Sequence, residues 1–157
     1  MNMVTLLSSL TMVCVVTSAF TWFLHAYNKG VPGTFTIAVS NTSFALGFGM
    51  ITFRSNLSDF LSFIVANGLI AVGHILIIVG LQQFIGRRRH YKILIALFVI
   101  YMVGFCYWHY VEDNFRNRLI LFLMTYASMM LFALTLTLSE YRKLRLKSYG
   151  PSLRLVG

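Results

Sequence analysis

Acidic residues are scarce: the 157-residue chain has four, Asp59, Glu112, Asp113 and Glu140, against thirteen Lys and Arg, and charged residues make up only 11%. An ordinary soluble domain carries roughly 25%, so this chain has too little charge to cover a globule in water. Cysteine is limited to Cys14 and Cys106, which lie in separate apolar runs without Cys-x-x-Cys or Cys/His ligand spacing. They indicate no redox compartment and are expected to behave as small apolar residues. No Gly-rich phosphate loop, HExxH or Ser/His/Asp arrangement occurs, so no catalytic residues are assigned and the chain is not expected to be an enzyme. Asp, Glu, Lys and Arg are also missing from the interior of every long apolar run. Proton-coupled transporters and pumps usually place carboxylates there, so that class loses its main sign.

What remains is apolar. Hydrophobic residues reach 58% and the mean hydropathy is +0.76, which in water would mean apolar patches that soluble monomers avoid. Uncharged stretches of membrane-crossing length occur five times, at 3–27, 34–53, 60–84, 93–110 and 119–139. With no water to satisfy backbone groups in hydrocarbon, each must be helical or belong to a closed barrel, and the runs lack the alternation that barrel strands require. The fold class expected is therefore all-α: a polytopic membrane bundle of five helices over residues 1–139, followed by a basic tail at 140–157. The second run is expected to start late or bend, because Val31-Pro32-Gly33 precedes it and Ser40-Asn41-Thr42-Ser43 interrupts it. The first has no Lys or Arg before Lys29 and is read as a retained span rather than a signal peptide.

The cations set a direction. On one side of a five-span bundle lie Arg54, Arg116 and Arg118 with three acidic residues; on the other lie ten cations with Glu140 alone. The ten include Arg87, Arg88, Arg89 and Lys92 in one loop and Arg142, Lys143, Arg145 and Lys147 in the tail, all placed to meet lipid headgroups. The positive-inside rule puts this side in the cytoplasm, giving N-out, C-in. The net charge of +9 is thus a topology signal with the lipid bilayer as partner, and nucleic acid is not expected as one.

Within the spans, Thr11, Cys14, Ser18, Thr21 and His25 recur at spacings of three and four, forming one small and polar stripe. Such a stripe is either a seam where helices approach or the lining of a groove for an apolar ligand. Thr125, Ser128, Thr135 and Ser139 form a similar stripe in the fifth span, again suggesting helix packing. The third span places Asn67 and His74 seven residues apart on one face, with Gly73 and Gly80 marking a close-approach line. Polar side chains at that depth are expensive and should face the bundle interior, so Asn67 and His74 are the foremost ligand-binding candidates. The four histidines lie at different depths, and neither a metal nor another cofactor is expected. Homo-oligomerisation through a small-residue face is also open.

The segment from Phe44 to Arg87 carries Gly47, Ala66, Asn67, Gly73, Gly80, Leu81, Phe84, Gly86 and Arg87 in a spaced pattern. It resembles the N-terminal membrane region of bacterial GGDEF-type diguanylate cyclases, where an Ala-Asn pair, spaced glycines and a Gly-Arg exit recur. The stretch Tyr107 to Phe122 resembles the short aromatic and charged loop of that region, and the likeness spans roughly residues 35 to 135. The resemblance implies a membrane anchor and sensory input in the bacterial inner membrane, serving cyclic di-GMP signalling. The chain departs from that family in having no GGDEF or GGEEF sequence and only 18 residues after Ser139. It is therefore expected to be non-catalytic: a truncated product, an excised segment or a degenerate copy. Two other readings stand beside it, a self-contained carrier or ligand-binding protein and a scaffold subunit. A carrier would be expected to show an internal repeat or a helix broken near mid-span.

Overall fold

The structure is a computed structural model; it describes residues 3–86, 91–112 and 114–149, with side chains described at 5–86, 91–112 and 114–139. Five long helices make up the described chain: α1 (Met3–Tyr27), α2 (Thr34–Thr52), α3 (Ala66–Phe84), α4 (Tyr91–Tyr110) and α5 (Phe115–Tyr149). A 3₁₀ turn at Arg54–Asn56 follows α2, and a π-helical segment at Phe60–Val65 runs directly into α3. All five helical segments are long and apolar enough to cross a membrane, an architecture consistent with a multi-pass membrane protein. Arg87, Arg88, Arg89 and His90 lie outside the described residues, as do the side chains of Arg142, Lys143, Arg145 and Lys147; Lys92 is exposed in the first turn of α4.

The bundle turns its apolar side chains outward. Met12, Val13, Val16, Phe20 and Phe23 on α1, Ile100 and Val103 on α4, and Met124, Leu131 and Leu134 on α5 are all exposed. The interior is small by comparison, and α2 and α3 supply much of it. Water would penalise such an outer surface heavily, whereas hydrocarbon costs it nothing.

The expected late start or bend in the second span is not what the structure shows. Helix α2 begins at Thr34 and runs unbroken to Thr52, because its polar patch finds partners on two sides. The Ser40 hydroxyl, fully buried, donates to the Gly73 carbonyl of α3 at 2.7 Å. On the opposite flank Asn41 donates to Thr21 and Thr42 meets Ser18 of α1. Thr42 gives its one hydroxyl proton to the Ala38 carbonyl at 3.0 Å, so Ser18 and the Trp22 indole N–H must both donate to it. Ser40→Ala is expected to lower stability by about 1 kcal/mol, the usual worth of one hydrogen bond, measured as a drop in the apparent melting temperature in mild detergent.

Small residues bring α2 and α3 together. A Cβ added at Gly47 would lie 2.9 Å from the Ala66 carbonyl oxygen, and one at Gly80 would lie 2.7 Å from Ile37 Cγ1. Gly33, at the start of α2, has φ +90 and faces the Gly80 carbonyl. On the far side of α3, helices α4 and α5 form a hairpin that packs mainly through large side chains. Ile78, Val79, Leu94, Met129 and Leu136 make one buried cluster there, and Ala71, Tyr101 and Phe105 make another. Helix α3 is thus the shared wall, with α1 and α2 on one side and the α4–α5 hairpin on the other.

Candidate functional site

The polar stripe of α1 is spent on the contact with α2. Thr11 meets Thr52 at 2.9 Å, Ser18 meets Thr42 at 2.9 Å, Thr21 accepts from Asn41, and His25 Nδ1 meets Thr34 at 3.0 Å. These four pairs run the length of the two antiparallel helices, so Thr11, Ser18, Thr21 and His25 form a hydrogen-bonded seam. The ligand-lined groove weighed for them in the sequence is not where they sit. Cys14, on the same stripe, instead lines a cavity with α2, α3 and α5.

The stripe on α5 differs more sharply. Ser128 and Thr135 are exposed, and their hydroxyls donate back to the Met124 and Phe132 carbonyls of their own helix. Met129 and Leu136 are the buried positions, with Phe132 and Ala133 packed against the same cluster. A hydroxyl in an apolar surround can satisfy itself on the preceding turn, which leaves the apolar face free to pack. The expected packing role of Ser128 is therefore not observed, and Thr125 lines a void of about 20 Å³ beside His74.

Asn67 and His74 each line a cavity. The larger, about 350 Å³, has α3 as its floor, with His74 and Ile77. Phe44 and Phe48 of α2, Cys14 of α1, and Phe122, Tyr126 and Met130 of α5 form its walls. The spacings i, i+4 on α2 and i, i+4, i+8 on α5 bring each set onto one helix face. Tyr126 and Met130 are partly exposed, so the cleft opens sideways onto the bundle's apolar surface. The smaller cavity, about 230 Å³, includes Asn67, Phe63, Phe105, Phe115 and Arg118 among its lining residues and shares Phe48 and Phe122 with the larger. The two are neighbours along one cleft between α2 and α5.

His74, Asn67 and Arg118 each have a hydrogen bond that fixes their place in this cleft. His74 Nδ1 lies 2.8 Å from the Ile70 carbonyl oxygen on its own helix. Its ring is wedged edge-to-face between Phe44 and Tyr126, with centroids 4.7 Å from each. Asn67 stands just past the point where the π ladder becomes an α ladder. Its amide donates to the Phe63 carbonyl at 2.7 Å, and its oxygen accepts from the Tyr101 hydroxyl at 3.4 Å. π segments inside helices are often found at functional sites, and this one sets the angle at which Phe63 and Asn67 enter the smaller cavity. At the loop end, Arg118 donates to His109 Nδ1, and the His109 ring stacks on Phe63 with centroids 4.8 Å apart.

Gly73 and Gly80, flagged as a close-approach line, lie against α2: a Cβ at Gly73 would be 2.8 Å from the Phe44 ring. Gly73 therefore sets the position of one cavity wall. Sequence reasoning missed that wall and its counterpart, namely Phe44, Phe48, Phe122 and Tyr126. Their helical spacing was visible, but in an apolar span it does not distinguish a cavity lining from ordinary packing.

Among the described residues no three His, Cys, Asp or Glu side chains converge as metal ligands would. What the arrangement can do chemically is enclose an apolar molecule beside one imidazole. The chain matches no protein-family model, no curated protein and no solved structure.

Proposed function

We propose that the chain is a non-catalytic membrane anchor and sensory input module, resembling that of a diguanylate cyclase, which takes an apolar molecule in the α2–α5 cleft. The single observation that carries this reading is the continuity of α5. The helix lines the His74 cavity with Phe122, Tyr126 and Met130 and runs without a break to Tyr149. Its 35 residues are about 52 Å of rod at 1.5 Å per residue, against a hydrocarbon core of about 30 Å. A displacement at the cleft wall therefore has a rigid path out of the membrane. The charge asymmetry supports the orientation N-out, C-in, with the far end of α5 in the cytoplasm of a bacterium and its cations at the inner leaflet.

A carrier is less well supported. The irregular helical geometry among the described spans lies in the first turns of the third, at Phe60–Val65, rather than at mid-span.

The reading is tested with spin labels carried on p-acetylphenylalanine in place of Phe84 and Leu138, both exposed, in the full chain in lipid nanodiscs. Loading the discs with 1-dodecanol is expected to shift the distance between them by about 2 Å, the scale of helix shifts in switching bundles. The shift should vanish when Met130→Trp fills the cleft. An unchanged distance with the probe seated in the cleft overturns the sensory reading and leaves a simple binding protein.

A further inference from the structure

The hydrogen bond at His74 determines what kind of molecule the larger cavity selects. A carbonyl oxygen can only accept, so the 2.8 Å contact with Ile70 O assigns the proton to Nδ1. At membrane depth an unpaired charge is expensive, and no Asp or Glu lines the cavity, so the ring is taken as neutral. In a neutral imidazole with Nδ1 protonated, Nε2 is a pure acceptor. Among the described residues no side chain or backbone group donates to it, and it is not among the sealed, unpartnered buried atoms. The ring that carries it lines the cavity.

The remaining surround is mostly apolar: three phenylalanine rings, the Tyr126 ring with its one hydroxyl, an isoleucine, a methionine and the Cys14 thiol. The cavity, at about 350 Å³, falls in the range of small-molecule sites, and such sites use a few placed polar groups to fix orientation. Here a ring that carries one fixed acceptor nitrogen borders a hydrophobic cleft open to the apolar surface.

We propose that the His74 cavity binds a lipophilic alcohol or phenol, whose hydroxyl donates to His74 Nε2 while its apolar body lies between Phe44, Phe48, Phe122 and Tyr126. This rests on the reading of the α2–α5 cleft as a ligand site and adds the chemistry of the ligand. An ether, ester or ketone of the same size brings only acceptors, which would face Nε2 lone pair to lone pair. An alkane would leave Nε2 without a donor, and an unmet polar group in such a site is costly. Donor-bearing and donor-lacking molecules of equal bulk are therefore discriminated.

The test uses a twelve-carbon primary alcohol with a mid-chain diazirine and its O-methyl ether as photolabels. Each is present at equal concentration in nanodiscs holding the full chain, and adducts are mapped by mass spectrometry. The alcohol is expected to label Phe44, Phe48, Phe122 and Tyr126 about tenfold more than the ether, the ratio a single hydrogen bond supports. In the native chain labelled with ¹⁵N-histidine, the alcohol and not the ether should move the Nε2 resonance of His74. His74→Phe keeps the ring between Phe44 and Tyr126 but removes the acceptor, and should make the two probes equal. Equal labelling of the cleft by both probes in the native chain, with Nε2 unmoved, overturns the donor selection but leaves the cleft as a ligand site. Labelling spread over the outward faces of α1 and α5, with no enrichment in the cleft, overturns both.

Discussion

Gly33→Ala is expected to cost about 2–5 kcal/mol, enough to prevent the chain from being recovered as a monodisperse folded protein in mild detergent. Two costs coincide at this position. The backbone has φ +90, a left-handed conformation that costs a side chain about 1–2 kcal/mol. The new Cβ would also stand 2.3 Å from the Gly80 carbonyl oxygen and 3.1 Å from the Phe84 nitrogen. Both are backbone atoms, so no rotamer change relieves the overlap, and overpacking typically costs a further 1–3 kcal/mol. Two other glycines separate the contributions. Gly86 has φ +74 with nothing within 4 Å of a Cβ, and Gly30 has open space and no unusual φ. The expected order of destabilisation is Gly33→Ala, then Gly86→Ala at about 1–2 kcal/mol, then Gly30→Ala near zero. It is read from apparent melting temperatures and from the fraction of monodisperse protein on size exclusion. If Gly33→Ala proved no worse than Gly86→Ala, the close contact between the start of α2 and the end of α3 would be refuted.

Gly73→Leu is expected to abolish occupancy of the larger cavity while leaving the bundle assembled. An added Cβ meets Cε1, Cδ1 and Cζ of Phe44 at 2.8–3.0 Å, and these are atoms of a ring that can swing rather than backbone. A leucine side chain needs the volume the ring holds, and the ring's adjoining open space is the cavity it lines. Phe44 would thus be driven into the ligand's place, and its edge-to-face contact with His74 would be lost. Photolabelling of Phe48, Phe122 and Tyr126 should fall to the level found at outward-facing residues. Gly68→Leu is the control on the same helix, because its Cβ would meet only the thioether end of Met102 at 3.6 Å. That variant should label as the native chain does. A Gly73→Leu chain that folds and still labels the cleft would show that Phe44 does not form its wall.

Histidine and asparagine in the third span illustrate what could be recognised from sequence. Their cost in lipid argued that they face inward, and in the structure His74 and Asn67 do line the two cavities of one cleft. The same argument could not distinguish the stripe on α1 from the one on α5. Both consist of small and hydroxylated residues at helical spacing, yet Thr11, Ser18, Thr21 and His25 find partners on α2, whereas Ser128 bonds to its own helix and stays exposed. The difference lies in the opposing helix: α2 presents Thr34, Asn41, Thr42 and Thr52 in register with α1. The face of α5 that packs inward meets large apolar side chains of α3 and α4, such as Ile78, Val79 and Leu94.

The number of long apolar helices was decided by the sequence alone, because length and apolarity belong to each segment by itself, and a segment placed in hydrocarbon would have to satisfy its own backbone. The second span needed more than that, since its polar patch argued for a bend until Ser40 and Thr42 were seen bonded to α3 and α1. Only the tertiary structure decided which stripe became a seam, where the cleft opened and which ring nitrogen of His74 accepts. Each of these depends on what another helix places opposite a residue, and spacing along one helix gives a residue's direction but not its partner.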